Sequence, residues 1–163
     1  KIDKIDSIIL NAATPHGSIF EMTIIEDMKK IFQINFFSQI YIIQKLLKYL
    51  KKSQNPSIIN ISSISSLIPT RGNLAYGGSK NLLNFFTKIL SKELNIYNIK
   101  VNALAPTILN NNMGKKTDKT TSKLLLKKSN NYKKISMKKV IEKIFYLYSK
   151  NGNKLNGKII KII

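Results

Sequence analysis

The sequence predicts an α/β fold built on a parallel sheet, and three observations predict it. Four short apolar runs read as strands, at about Asp6–Leu10, Ser57–Ser62, Ile99–Ala105 and Asn156–Ile163. Longer stretches with helical spacing of apolar residues separate them, at about Thr23–Lys52, Leu74–Asn95 and Ser136–Tyr148. The intervals are long enough for helical crossovers, which parallel strands need. At 163 residues, 43% of them hydrophobic, the chain suits one domain with a core of its own.

Taken in order, the first strand ends in a loop containing Thr14-Pro15-His16-Gly17. Ile31, Ile34, Phe37, Ile40 and Leu47 are among the apolar positions of the helix that follows, and Asn35 interrupts them. The second strand leads into a loop with Ser65, Ser66, Pro69, Thr70 and Gly72. In the next helix Leu82, Leu83, Phe85, Phe86, Ile89, Leu90 and Leu94 read as core or interface positions. The last strand follows an Asn-Gly turn at Asn156-Gly157. Residues 110–135 differ from the rest, with three consecutive asparagines, eight lysines and Asp118 as the one acid. Leu124-Leu125-Leu126 offers a seat for a short helix there; the alternative is a flexible, solvated insertion.

The chemistry is concentrated in Tyr76-Gly77-Gly78-Ser79-Lys80, with Ser63 thirteen residues before the tyrosine. A phenol and an ammonium at i and i+4 share a helix face. The ammonium favours a phenolate, lowering the phenol below its usual pKa of about 10. A nearby hydroxyl holds a carbonyl oxygen while the tyrosine gives or takes its proton. Such a set suits carbonyl–alcohol interconversion by hydride transfer, with the hydride carried by a cofactor. Spacing alone does not single out this pair, since composition gives about one such pair by chance. Tyr41/Lys45 and Tyr146/Lys150 share it, but Met28 and Lys133 stand where Ser63 stands before Tyr76. Small residues lie between Tyr76 and Lys80, leaving room for a cofactor against the helix.

Together these segments resemble the short-chain dehydrogenase/reductase family. Ile8-Ile9-Leu10-Asn11-Ala12-Ala13 is similar to the family's strand ending in Asn-Asn-Ala-Gly. Phe32-Gln33-Ile34-Asn35 matches the helix bearing its catalytic asparagine, and Val101-Asn102-Ala103-Leu104-Ala105-Pro106 its next strand with a Pro-Gly exit. The resemblance implies a Rossmann-like, doubly wound parallel sheet, of which this chain supplies the C-terminal part, strands four to seven of the family order. It implies that Tyr76 is the general acid/base and that Lys80 lowers its pKa and binds the nicotinamide ribose. Ser63 orients the substrate oxygen, and Asn35, at a local helix distortion, helps position water in a proton relay. Asn11, Ala12 and Ala13 line an NADP or NAD cofactor, and Pro106, Thr107 and Ile108 face its amide. The serine-rich loop lies over a small carbonyl or alcohol substrate, and residues 110–135 form a lid. The resemblance also implies homo-oligomers formed through residues 23–52 and 74–95. The nearest flavour is the 3-oxoacyl carrier-protein reductase type, whose acidic carrier suits a basic surface.

Two glycines of the family pattern are replaced, giving Leu10-Asn11-Ala12-Ala13 and Pro106-Thr107. The glycine-rich turn that cradles a pyrophosphate has no counterpart. Residues 1–163 are therefore expected to be a partial dinucleotide-binding domain without the glycine-rich half. Two alternatives stand beside the enzyme: a catalytically silent remnant acting in assembly, and a basic, non-specific nucleic-acid-binding protein.

The net charge of +20 motivates the last of these. Yet 27 lysines accompany a single arginine, Arg71, whereas base readout and phosphate forks favour arginine. The spread of Lys with Ile and Asn reads as compositional drift, with no specific nucleic-acid partner. No apolar run is long enough to span a membrane. The absence of cysteine excludes disulfides and thiolate metal sites and fits a cytoplasmic protein. His16 is the one histidine, so a histidine triad and a multi-histidine metal site are excluded.

Overall fold

A computed structural model describes residues 2–112, 114, 119–129, 133–149 and 151–163. Four strands, β1 (Ser7–Leu10), β2 (Ser57–Ile61), β3 (Lys100–Pro106) and β4 (Ile159–Ile162), form one sheet in the order β1-β2-β3-β4. All three pairings are parallel, with Ile8 opposite Ile58, Ile59 opposite Asn102, and Leu104 opposite Ile160. Such pairing needs crossovers. They are supplied by α1 (Ile25–Phe32) with α2 (Ser38–Leu50), by α3 (Leu74–Glu93), and by α4 (Lys119–Lys128) with α5 (Met137–Tyr148). The predicted α/β fold with a parallel sheet is what forms.

Helices cover both faces, which is why β2 and β3 read as near-continuous apolar runs. On one face Ile8, Leu10, Ile58 and Val101 pack against Ile43 and Leu50 of α2 and Leu90 of α3. On the other, Ile59, Ile61, Leu104 and Ile162 pack against Val140 and Leu147 of α5. A third, smaller cluster of Ile64, Ile108 and Leu125 lies where α4 meets the loops leaving β2 and β3.

The long helix expected at Thr23–Lys52 is not continuous. Between α1 and α2 the backbone widens into a π-helical turn at Gln33–Phe37, centred on Asn35. The distortion expected at Asn35 is therefore present. The Asn-Gly turn is also as expected. Gly157 has φ of 70°, and Asn156 ties it down by accepting from Val101 N–H (2.8 Å) and donating to the Ser91 carbonyl (3.0 Å). A Cβ at Gly157 would come within 2.6 Å of Ser91 Oγ, so the turn needs glycine on two counts.

In residues 110–135, α4 forms around the leucines and buries Leu125. The segment's ends are held together, with Ile135 N–H donating to the Ile108 carbonyl and Asn110 N–H to the Ile135 carbonyl, both at 3.0 Å. Parts of the expected lid (113, 115–118 and 130–132) lie outside the described residues, as does Lys150 of the Tyr146/Lys150 pair. No helix among the described residues is long and apolar enough to cross a membrane.

Candidate active site

Parallel strands carry their following loops at one edge of the sheet. Asn11–Ala13 leave β1 there, Ser62–Ser66 leave β2, and Thr107-Ile108 leave β3. The carboxyl edge is where open α/β sheets hold ligands. Helix α3 starts beside it, its first turn capped by Asn73, whose Oδ1 accepts from Gly77 N–H at 3.1 Å. That cap fixes where Tyr76 and Lys80 emerge.

The Ser63 hydroxyl lies beside the Tyr76 phenol, close enough to act on its proton. Burial raises the Tyr76 phenol above its usual pKa of 10.0, and the Ser63 hydroxyl draws it part of the way back. Burial thus sets the direction of the phenol's shift, upward where the spacing predicts a lowering, and Ser63 opposes it. The Lys80 ammonium donates to the Ile61 carbonyl at 2.7 Å. Only 1% exposed, Lys80 is itself shifted by burial, its pKa lowered to about 8.

Asn35 is fully buried and joins three parts of the site. Its Oδ1 accepts from Thr14 N–H at 2.8 Å, and its Nδ2 donates to the Thr14 carbonyl (3.0 Å) and to Ser79 Oγ (3.2 Å). Ser79 in turn donates to the Tyr76 carbonyl at 2.8 Å. Both amide protons of this side chain are committed to protein acceptors, and together its bonds lock the Thr14 loop onto α3.

The remaining predicted residues divide. Asn11 and Ala12 are exposed at the end of β1 and Ala13 is half-buried. Pro106, Thr107 and Ile108 are buried; Thr107 Oγ1 lies 3.4 Å from Ser129 Oγ, and Ile108 belongs to the cluster with Ile64 and Leu125. Of the glycines between Tyr76 and Lys80, Gly77 makes room for protein, while Gly78 has space for a Cβ and lines the neighbouring cavity. A Cβ at Gly77 would fall 2.7 Å from Asn73 Nδ2 and 3.0 Å from the Ser65 carbonyl, and one at Gly78 would touch Phe32 at 3.5 Å. A cavity of about 720 Å³ lies beside the site, lined by Ser18, Glu21, Pro69, Thr70 and Arg71 among others, and by Ser65 and Ser66 of the serine-rich loop.

Sequence reading missed Gln39, buried on α2, whose Nε2 donates to the Ala12 carbonyl at 3.1 Å. It also missed a polar row on the buried side of α3, Asn84, Thr87 and Ser91, which continues the helical spacing of Lys80. Thr87 holds Asn60 of β2 at 2.8 Å. The signal was present in the i, i+3, i+4 spacing, but apolar neighbours masked it.

A parallel sheet covered on both faces, with these groups at its carboxyl edge, defines a Rossmann-type α/β protein. Residues 1–122 match the family model described as short chain dehydrogenase, and the chain belongs to that family. It is 31% identical over 113 residues to a 3-oxoacyl-[acyl-carrier-protein] reductase of Chlamydia pneumoniae, covering 69% of this chain and 46% of the relative. To the corresponding reductase of Thermotoga maritima it is 26% identical over 162 residues, 99% of this chain and 66% of the relative. In fold it is similar to a 3-ketoacyl-(acyl-carrier-protein) reductase from Brucella melitensis solved with NADH. The TM-score there is 0.85 at 20% identity, over 98% of this chain and 66% of that one. The chain spans about half the length of many curated relatives it matches, 46% and 50% of the first two.

Proposed function

We propose that this chain is the catalytic part of an NAD(P)-dependent oxidoreductase that interconverts a carbonyl and an alcohol. The observation that carries it is the meeting of the Ser63 hydroxyl with the Tyr76 phenol, one helical turn from the buried Lys80 ammonium. Ser63 orients the substrate oxygen. Tyr76 passes its proton to that oxygen, or takes it back in the reverse direction. Asn35 holds the first turn of α3 through Ser79 and completes the relay with its remaining acceptor lone pair.

The residues present fit a nicotinamide cofactor. Small, open side chains at Asn11-Ala12-Ala13 leave the end of β1 clear, and Lys80 has donors beyond the one used on Ile61 for ribose hydroxyls. Pro106, Thr107 and Ile108 form the wall opposite. When bound, NADH or NADPH would supply the hydride. The order β1-β2-β3-β4 supports reading these strands as four to seven of the family sheet. We take residues 110–135 as the lid, α4 resting on Ile64 next to Ser63.

The reductase relatives favour a carrier-bound acyl substrate, and a net charge of +20 suits an acidic carrier in a cytoplasmic setting. Exposed Phe37 and Tyr41 on the first helical stretch, and Phe85 and Ile89 on α3, support homo-oligomers through residues 23–52 and 74–95.

The test is a chimaera joining this chain to the additional N-terminal length of a reductase relative, assayed with NADPH and NADH on a 3-oxoacyl thioester. Tyr76→Phe should lower turnover by about 10²–10⁴-fold, the span typical of a positioned acid/base. Unchanged turnover would remove Tyr76 from the reaction.

A further inference from the structure

Ser63 sits at the head of a tight turn shaped largely by one side chain. Ser66 donates both its backbone N–H (3.0 Å) and its hydroxyl (2.5 Å) to the Ser63 carbonyl. That commits the single hydroxyl proton, so other polar partners of Ser66 Oγ must donate to it. Asn84 Nδ2 does so at 2.7 Å, and Ser62 Oγ, at 3.1 Å, shares its one proton between Ser66 Oγ and the Lys80 carbonyl. Asn81 Nδ2 adds a bond to the Ser66 carbonyl at 2.8 Å.

Asn81 and Asn84 stand on α3, just beyond Lys80. The helix that presents Tyr76 therefore grips the turn that presents Ser63. Ser66 and Asn84 are each 5% exposed, a dry setting in which hydrogen bonds hold geometry well. Packing alone would favour an apolar side chain at 84. The amide there leaves its Oδ1 buried without a partner among the described residues, which costs stability. Its visible return is the bond to Ser66.

We propose that Asn84 and Ser66 are positioning residues that fix the Ser63 hydroxyl against the Tyr76 phenol from outside the reaction centre. This rests on the reading of Ser63 and Tyr76 as partners in proton transfer. Ser63 has extended backbone, and its Oγ accepts from Ser65 N–H at 3.1 Å, so its direction follows the turn. Loosening Ser66 frees the Ser63 carbonyl to rotate and carries Oγ away from the phenol. Because Ser63 opposes the upward pull of burial on Tyr76, the phenol should then ionise at higher pH.

The experiment is a 19F NMR titration of the whole chain labelled with 3-fluorotyrosine, whose lowered phenol pKa brings Tyr76 into an accessible range. Tyr76→Phe assigns the resonance, and exposed Tyr41 serves as internal reference. Ser63→Ala should raise the Tyr76 midpoint by about 0.5–1 pH unit. Ser66→Ala and Asn84→Leu should each raise it by at least half as much, with Tyr41 unmoved. The Ser66→Ala/Asn84→Leu double variant should add little to the larger single effect, since both act through one bond. If Ser66→Ala fails to fold, Asn84→Leu carries the test, because leucine fills the site and leaves the turn's backbone bond intact. An unmoved midpoint in Asn84→Leu, with a raised one in Ser63→Ala, overturns the positioning role and leaves the Ser63–Tyr76 reading standing. An unmoved midpoint in Ser63→Ala overturns both.

Discussion

Tyr41 and Tyr76 each stand four residues before a lysine on a helix, and the two pairs are different chemical objects. Lys45 Nζ lies 5.1 Å from the centre of the Tyr41 ring on the outside of α2, where Tyr41 is 60% exposed. Lys80 is only 1% exposed and bonded to a backbone carbonyl, and Tyr76 has Ser63 beside it. The i, i+4 spacing fixes adjacency and nothing more. Depth and second partners decide whether the pair is a surface contact or a means of moving protons.

The largest expected contrast is in turnover. In the chimaera, Tyr41→Phe should stay within a few fold of the parent, against about 10²–10⁴ lost in Tyr76→Phe. Comparable losses from both would mean that depth does not separate them.

The next contrast is in stability against pH. Lys80 binds its proton less tightly when folded, with a pKa of about 8 against an ordinary value of 10.5. Between those values the unfolded chain holds the extra proton, so stability rises with pH, by on the order of 2–3 kcal/mol from pH 8 to 10. The window closes near pH 10, above which Tyr76, whose folded pKa is raised, begins to lose the stability of its neutral form. Urea melts across pH 8–10 should show this slope in the parent and in Lys45→Met, and lose most of it in Lys80→Met. A slope that survives in Lys80→Met would place the titrating group elsewhere.

Smaller effects refine the picture along the helix that carries Tyr41. Asn35→Leu strands the Thr14 N–H and carbonyl and should cost about 1–3 kcal/mol. Ser38→Ala, three residues on and half-buried, loses only a bond to the Ile34 carbonyl of its own helix and should stay within about 0.5 kcal/mol. Equal losses in thermal melts would show that Asn35 is only a helix residue. Lys45→Ala should likewise cost little, at most about 0.5–1 kcal/mol, and less at high salt, since the ring contact is exposed.

Much of this architecture was legible in the chain. The central strands β2 and β3 are apolar-rich runs buried on both faces, and the crossovers between strands have room for helices, so sequence alone yields a parallel sheet. Ser63, Asn35, Tyr76 and Lys80 could be marked because their order and spacing are those of a family. Their contacts could not. Whether Lys80 faces a phenol or the Ile61 carbonyl depends on how α3 lies against β2, which no spacing encodes. Gly77 shows the same limit: its missing side chain admits Asn73, one turn back on the same helix, and the Ser65 carbonyl from the loop before it. Asn84 was passed over because a polar residue amid leucines and phenylalanines reads as solvent-facing until the helix is docked.

The widened turn at Gln33–Phe37 also governs which changes of length the molecule tolerates. At about 100° per residue, an unbroken α-helix would set Ile31 and Ile43 about 120° apart, and Ile31 and Leu50 about 100° apart. A π turn absorbs one extra residue, which brings both separations to about 20° or less. All three side chains are in fact buried. Deleting one residue inside Gln33–Phe37 therefore converts the turn to plain α-helix and keeps the phase. Deleting one between Ser38 and Ile43 rotates Ile43 and Leu50 by about 100°, out of the sheet. Evolution or an engineer can shorten the helix at the first place, and what is surrendered is the amide of Asn35 and its hold on the Thr14 loop.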